Sequence, residues 1–196
     1  MTVGQSLLDL AQAAGADAVF VVGIGKNVGK TVTARAVYEA AHAAGISTGI
    51  TSIGRDGELA DAGDARPKPR LFLRPGTVVA TALGVLPRSP ACEMLDVSSL
   101  QTAAGPVAYA RVVHAAHYEL VGPPTASGMR EVVERLRAHA RFTIVDGAID
   151  RVAATAGSTG AIVVAAGASA AGTPAEAVDA IRALALRLGV AGYDEK

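Results

Sequence analysis

Apolar residues in this chain fall into short uninterrupted runs separated by stretches in which they recur at helical spacing. The run Ala18-Val19-Phe20-Val21-Val22 does not alternate, as expected for a parallel strand covered on both faces. Before it, Ser6 to Ala14 reads as a short helix carrying Leu7, Leu8, Leu10 and Ala11, with Gly15 as its stop. After it, Val32, Ala36, Val37, Ala40 and Ala44 recur at helical spacing from Lys30 to about Ala44, and Gly45 closes the helix. Ile46 to Ile53 then returns as a second strand. Ser127 to Ala140 is amphipathic, with Met129, Val132, Val133 and Leu136 set against Arg130, Glu131, Glu134, Arg135 and Arg137. Phe142 to Ala148 reads as a buried strand that includes an acid, and Ala161 to Ala165 as another. Gly167-Ala168-Ser169 makes a turn, and Pro174 with Glu176 opens a helix reaching Leu188. Strand and helix in alternation predict an α/β fold, a mostly parallel sheet flanked by helices with right-handed crossovers.

From Arg66 to Thr125 this alternation lapses. Pro67, Pro69, Pro75, Pro87 and Pro90 punctuate short apolar runs at Leu71 to Leu73 and Thr77 to Ala82. Tyr109 to His114 and Tyr118 to Val121 are expected to pair as a hairpin ending at Gly122-Pro123-Pro124. A β-rich insertion at about 66–125, near the sheet's carboxyl edge, is the expectation. His114, His117 and Tyr118 read as hairpin surface rather than metal ligands.

Composition narrows the function. At 196 residues and 51% hydrophobic content, the chain suits a single domain spanning 1–196 with a substantial core. Lys+Arg and Asp+Glu both number 18, so no diffuse basic field points to nucleic acid or an anionic membrane. Cys92 is the single cysteine, which excludes a disulfide framework and suits a reducing compartment. Residues 1–15 carry no leader pattern and no stretch is as long as a membrane span, so a cytoplasmic protein is expected.

Against that neutral background the chemistry is local. Gly23-Ile24-Gly25-Lys26-Asn27-Val28-Gly29-Lys30-Thr31 lies between the first strand and the helix after it. A strand, glycines that let backbone N–H groups curl round an anion, and a helix N-terminus together make a phosphate-binding loop. Nucleotide contacts are expected from Gly25, Lys26, Asn27, Val28, Gly29, Lys30, Thr31 and Val32, with Lys30 on the outer phosphates and the Thr31 hydroxyl on Mg²⁺. Asp146, at a strand's end, is the expected second metal anchor. The second strand leads into Thr51-Ser52-Ile53-Gly54-Arg55-Asp56-Gly57-Glu58. Asp56 and Glu58 are candidates for the Mg²⁺ shell or for orienting water, and Arg55 for phosphate or substrate; Asp61 and Asp64 are further alternatives. No N-K-x-D segment for reading guanine occurs, which favours ATP over GTP.

The loop form G-x-x-x-x-V-G-K-T resembles that of dethiobiotin synthetases and their deviant Walker A relatives among P-loop NTPases. The likeness covers Val21 to Ile53 and Ile144 to Ala148. It implies a nucleotide triphosphatase fold of that type. Lys26 lies four residues before Lys30, whereas the signature lysine of the deviant class lies five before. The K-P-V lysine that serves ligase chemistry in dethiobiotin synthetases is replaced by Thr51-Ser52-Ile53-Gly54-Arg55-Asp56. A second resemblance is to the ATPase subunit of the reactivating factor for the cobalamin-dependent lysine aminomutase. It rests on the loop, Thr51 to Glu58, Lys68-Pro69-Arg70 with Pro75-Gly76-Thr77, and Asp146-Gly147-Ala148-Ile149-Asp150-Arg151. It implies a Mg²⁺-dependent ATPase that acts on a partner protein, a cobalamin-dependent aminomutase, so that damaged cofactor can leave. Arg55, Glu58, Asp150 and Arg151 are candidate switch or substrate contacts, the Arg55–Glu58 segment because it leaves the second strand at the sheet edge where the phosphate loop opens. The alternative expectation is an ATP-dependent small-molecule ligase or kinase of dethiobiotin synthetase type; monomer or homodimer stays open.

Overall fold

The structure, a computed structural model, describes residues 1–25, 27–53, 70–87, 90–147, 160–167 and 171–187. Nine strands and four α-helices follow one another among these residues. Helix α1 (Val3–Ala13) starts at Thr2, whose hydroxyl accepts from the Gln5 N–H. Strand β1 (Ala18–Gly23) is buried along its whole length and delivers the chain to helix α2 (Lys30–Ala43) and strand β2 (Thr48–Ser52). Then come β3 (Arg70–Leu73), β4 (Val78–Ala82), β5 (Cys92–Thr102), β6 (Gly105–Val112) and β7 (Ala116–Glu119). The chain closes with α3 (Ala126–Arg137), β8 (Phe142–Asp146), β9 (Ala161–Ala165) and α4 (Pro174–Arg187).

Seven strands form one sheet in the order β5-β6-β4-β2-β8-β1-β9, and β3 pairs with β7 in a separate ribbon. The five strands from β4 to β9 run parallel, while β6 and β5 are antiparallel additions at one edge. The expected α/β fold with a mostly parallel, helix-flanked sheet is therefore present. One face buries Val19, Val21, Ile50 and Ile144 against Leu8 of α1 and Val37, Tyr38 and Ala41 of α2. The other buries Ala18, Phe20, Ala80, Tyr109 and Val145 against Met129, Val132, Val133 and Leu136 of α3. The amphipathic pattern of α3 thus predicts its buried side.

Three sequence expectations need correction. Tyr109–His114 and Tyr118–Val121 do not form a hairpin: β6 lies between β4 and β5, and β7 pairs instead with β3, Tyr118 opposite Leu71. The expected insertion at 66–125 is rich in strands, but β4, β5 and β6 extend the main sheet rather than stand apart from it. In α2, Val32 points outward and is 61% exposed, so the apolar stripe starts at Ala34 and Val37 instead. His114 and His117 are exposed, in keeping with surface positions, and the buried Tyr118 hydroxyl donates to the Ala91 carbonyl at 2.9 Å.

Helices α1 and α2 meet so closely that a Cβ on Gly4 would stand 2.0 Å from the Ala36 carbonyl oxygen. Backbone cannot yield as a side-chain tip can, so Gly4→Ala is expected to destabilise the fold by about 3 kcal/mol, the upper end for an overpacked site. Urea unfolding checks this; an unchanged midpoint would mean that the helices separate freely. The buried Tyr109 hydroxyl has the opposite sign. Among the described residues it has no hydrogen-bond partner, and burial pushes its pKa up to about 12. Tyr109→Phe removes an unsatisfied polar atom, and the same unfolding assay should show stability unchanged or raised by up to about 1 kcal/mol.

Candidate functional site

The carboxyl ends of β1 and β8 lie side by side, with Val21 in register with Asp146. From the first of these ends the glycine-rich loop turns back on itself. A Cβ on Gly23 would lie 2.5 Å from Val28 Cγ2 and 2.8 Å from Lys30 Cγ, so only glycine lets the loop fold over the strand end. Asn27 (φ 57°) and Gly29 (φ 92°) both hold left-handed backbone, a conformation that asparagine and glycine tolerate best. Alternation of this kind turns successive N–H groups towards one concavity. Val28 pins the loop. It is buried, and Gly167, just past β9, approaches so near that a Cβ there would be 3.2 Å from Val28 Cα. The Ile24 N–H donates to the Ala165 carbonyl at 3.2 Å, fixing the loop's start to the end of β9.

Gly29 caps α2 without a side chain, leaving the first-turn N–H groups of the helix facing the loop, and Lys30 and Thr31 follow at once. Lys30 folds over the loop and Nζ donates to the Gly25 carbonyl at 2.8 Å. Thr31 Oγ1 donates to Asp146 Oδ2 at 2.8 Å, joining residues 115 apart in the chain. Asp146 is held in turn by its own backbone, whose carbonyl accepts from the Ile53 N–H at 2.9 Å. Burial lowers the Lys30 pKa, and the Asp146 charge opposes that shift. Burial likewise raises the Asp146 carboxyl, against the Thr31 hydrogen bond and the Lys30 charge. Both groups therefore sit partly desolvated and within electrostatic reach of each other, each offsetting part of the shift that burial imposes on the other.

Of the expected site residues, Gly25, Asn27, Val28, Gly29, Lys30 and Thr31 come together with Asp146. Val32 belongs to the first turn of α2 but turns its side chain to solvent. Lys26, Arg55, Asp56, Glu58, Asp61, Asp64, Asp150 and Arg151 lie outside the described residues. The structure adds Ser52, the last residue of β2, in register with Asp146 on the adjoining strand. Its hydroxyl donates to the Leu120 carbonyl at 2.9 Å. Nothing in the hydrophobic pattern marks Ser52, because the pattern does not say that β8 is inserted between β1 and β2. A glycine-rich loop, an acid one strand away and a hydroxyl two strands away make a site suited to an anion and a hard cation together.

Comparison of the chain with protein families, curated proteins and solved structures finds no match. Among the described residues no helix is long and apolar enough to cross a membrane, and no three His, Cys, Asp or Glu side chains are grouped to hold a metal by themselves.

Proposed function

We propose that the protein is a Mg²⁺-dependent P-loop ATPase of the dethiobiotin-synthetase-like kind. The observation that carries the proposal is the Thr31–Asp146 hydrogen bond, because two residues expected from sequence to share a metal lie 2.8 Å apart across 115 positions. The donor set fits the ion. Mg²⁺ prefers hard oxygens and keeps several waters, so one carboxylate and one hydroxyl completed by phosphate suffice without a three-acid cage. When bound, Mg²⁺ neutralises charge on the outer phosphates of ATP.

The chain's own residues do the rest. The loop N–H groups from Asn27 to Thr31 cradle the phosphates, and Lys30 exchanges its Gly25 carbonyl for a phosphate oxygen. Thr31 keeps its proton on Asp146, which leaves its lone pairs for the ion. The proposal extends to function in the cell: hydrolysis is coupled to a partner protein, and a cobalamin-dependent aminomutase is the partner that the second resemblance favours. The missing K-P-V lysine supports that reading over the small-molecule ligase. Steady-state hydrolysis of ATP and GTP in Mg²⁺, alone, with diamines, and with an aminomutase, tests it. Turnover raised by the aminomutase is expected; turnover that requires a diamine would make the protein a ligase, and no nucleotide binding at all would overturn the assignment.

A further inference from the structure

Two hydroxyls at the carboxyl edge of the sheet hold the segment from Glu119 to Val121, and they do so differently. Thr81, fully buried on β4, donates to the Glu119 carbonyl at 3.0 Å and accepts from the Val121 N–H at 2.8 Å, so its hydrogen-bonding capacity serves that segment alone. Ser52 is only half-buried and donates its single proton to the Leu120 carbonyl. Among the described residues nothing donates to it in return. A hydroxyl whose proton is committed is an oriented acceptor, with its lone pairs on the side away from Leu120.

Its place in the sheet decides what those lone pairs meet. Side chains in register on adjoining strands share a face, about 4.8 Å apart. Val21, Asp146 and Ser52 form one such row, on the face that carries α2 and therefore Thr31. The row is rigid, because the Ile53 N–H holds the Asp146 carbonyl and Gly122 lies against the Ser52 carbonyl, where a Cβ would come within 1.8 Å. Thr31 Oγ1 is arranged in the same way as Ser52 Oγ, its proton given to Asp146.

We infer that Ser52 is a metal-positioning residue, its hydroxyl oxygen accepting a hydrogen bond from water on the Mg²⁺ that Thr31 and Asp146 hold. The inference rests on the phosphate-loop reading above. Groups in this second layer around a metal commonly change its affinity by about 10- to 100-fold when removed.

The test is calorimetric binding of a non-hydrolysable ATP analogue to the full chain, with and without Mg²⁺. In Ser52→Ala the tightening produced by Mg²⁺ should shrink by about tenfold. Affinity without metal should stay at the parent value, and Ser52→Thr, which keeps the hydroxyl, should restore the metal effect. An unchanged Mg²⁺ effect in Ser52→Ala overturns the inference while leaving the loop assignment standing. An equal loss with and without metal also overturns it, making Ser52 a fastener for the Leu120 segment only. A parent protein that binds no analogue in either condition overturns the loop reading and this inference with it. Should Ser52→Ala not fold, Mn²⁺ with the analogue on the parent chain serves instead: the Ser52 side-chain resonances should broaden beyond detection, and sharp ones overturn the inference.

Discussion

Lys30→Ala is expected to abolish nucleotide binding, with affinity for ATP down at least a hundredfold. In the structure the ammonium group rests on a neutral carbonyl of its own loop, partly desolvated and stabilised by Asp146. A phosphate oxygen is a better partner for it than a carbonyl, since it adds the attraction of a full negative charge to the hydrogen bond in a partly desolvated site. Removing one partner of a desolvated charge pair at a binding site costs about 2 to 5 kcal/mol, and about 3 is already a hundredfold. Titration of the variant with a non-hydrolysable ATP analogue checks this. An affinity close to the parent's would remove the loop from the nucleotide site.

Asp146→Asn should separate binding from turnover: analogue affinity without metal largely kept, hydrolysis down on the order of a hundredfold, as for loss of one electrostatic contact to the reacting centre. The same substitution carries a stability signature. Burial raises the Asp146 pKa above its ordinary value, so folding disfavours the charged form. Its ionisation then costs stability, fully so above the folded pKa and not at all below the ordinary carboxyl value, where folded and unfolded chains are both protonated. The empty asparagine variant should therefore melt above the parent at neutral pH, and the gap should close as pH falls through the folded pKa. A gap independent of pH would mean that the carboxylate is not desolvated in the fold.

Much of this was legible in the residues themselves. Strands β1 and β9 coincide with uninterrupted apolar runs because both lie in a parallel sheet, and the meeting of Thr31 with Asp146 was legible because the proposed phosphate and metal chemistry asks for both. The misread region is instructive. β5 carries Glu93, Asp96 and Ser99 and is an edge strand with two register shifts, so its outward residues break the alternation that would reveal it. Its true hairpin partner is β6, joined through Gly105 at φ 101°, a turn that lacks the paired turn residues that announce a hairpin. The outward Val32 misled for a different reason: helical spacing gives a period but not its phase, and Ala34, Val37 and Ala41 set the phase here. Ser52 was beyond reach, since its importance depends on which strand is its neighbour.

That neighbour, β8, bears on how the protein acquires its site. The first β-α-β segment, complete by Ser52, leaves a gap between β1 and β2 that only Phe142–Asp146 fills. During synthesis the loop therefore emerges long before the strand that supports it, and its threonine waits for a carboxylate 115 residues downstream. Such distant pairing is slow, because chain entropy must be lost before the contact forms. The proposed metal site is thus complete only once the sheet closes. A nascent or partly opened chain carries the loop without Asp146 beside it, so the fold itself couples the proposed nucleotide site to completion of the core.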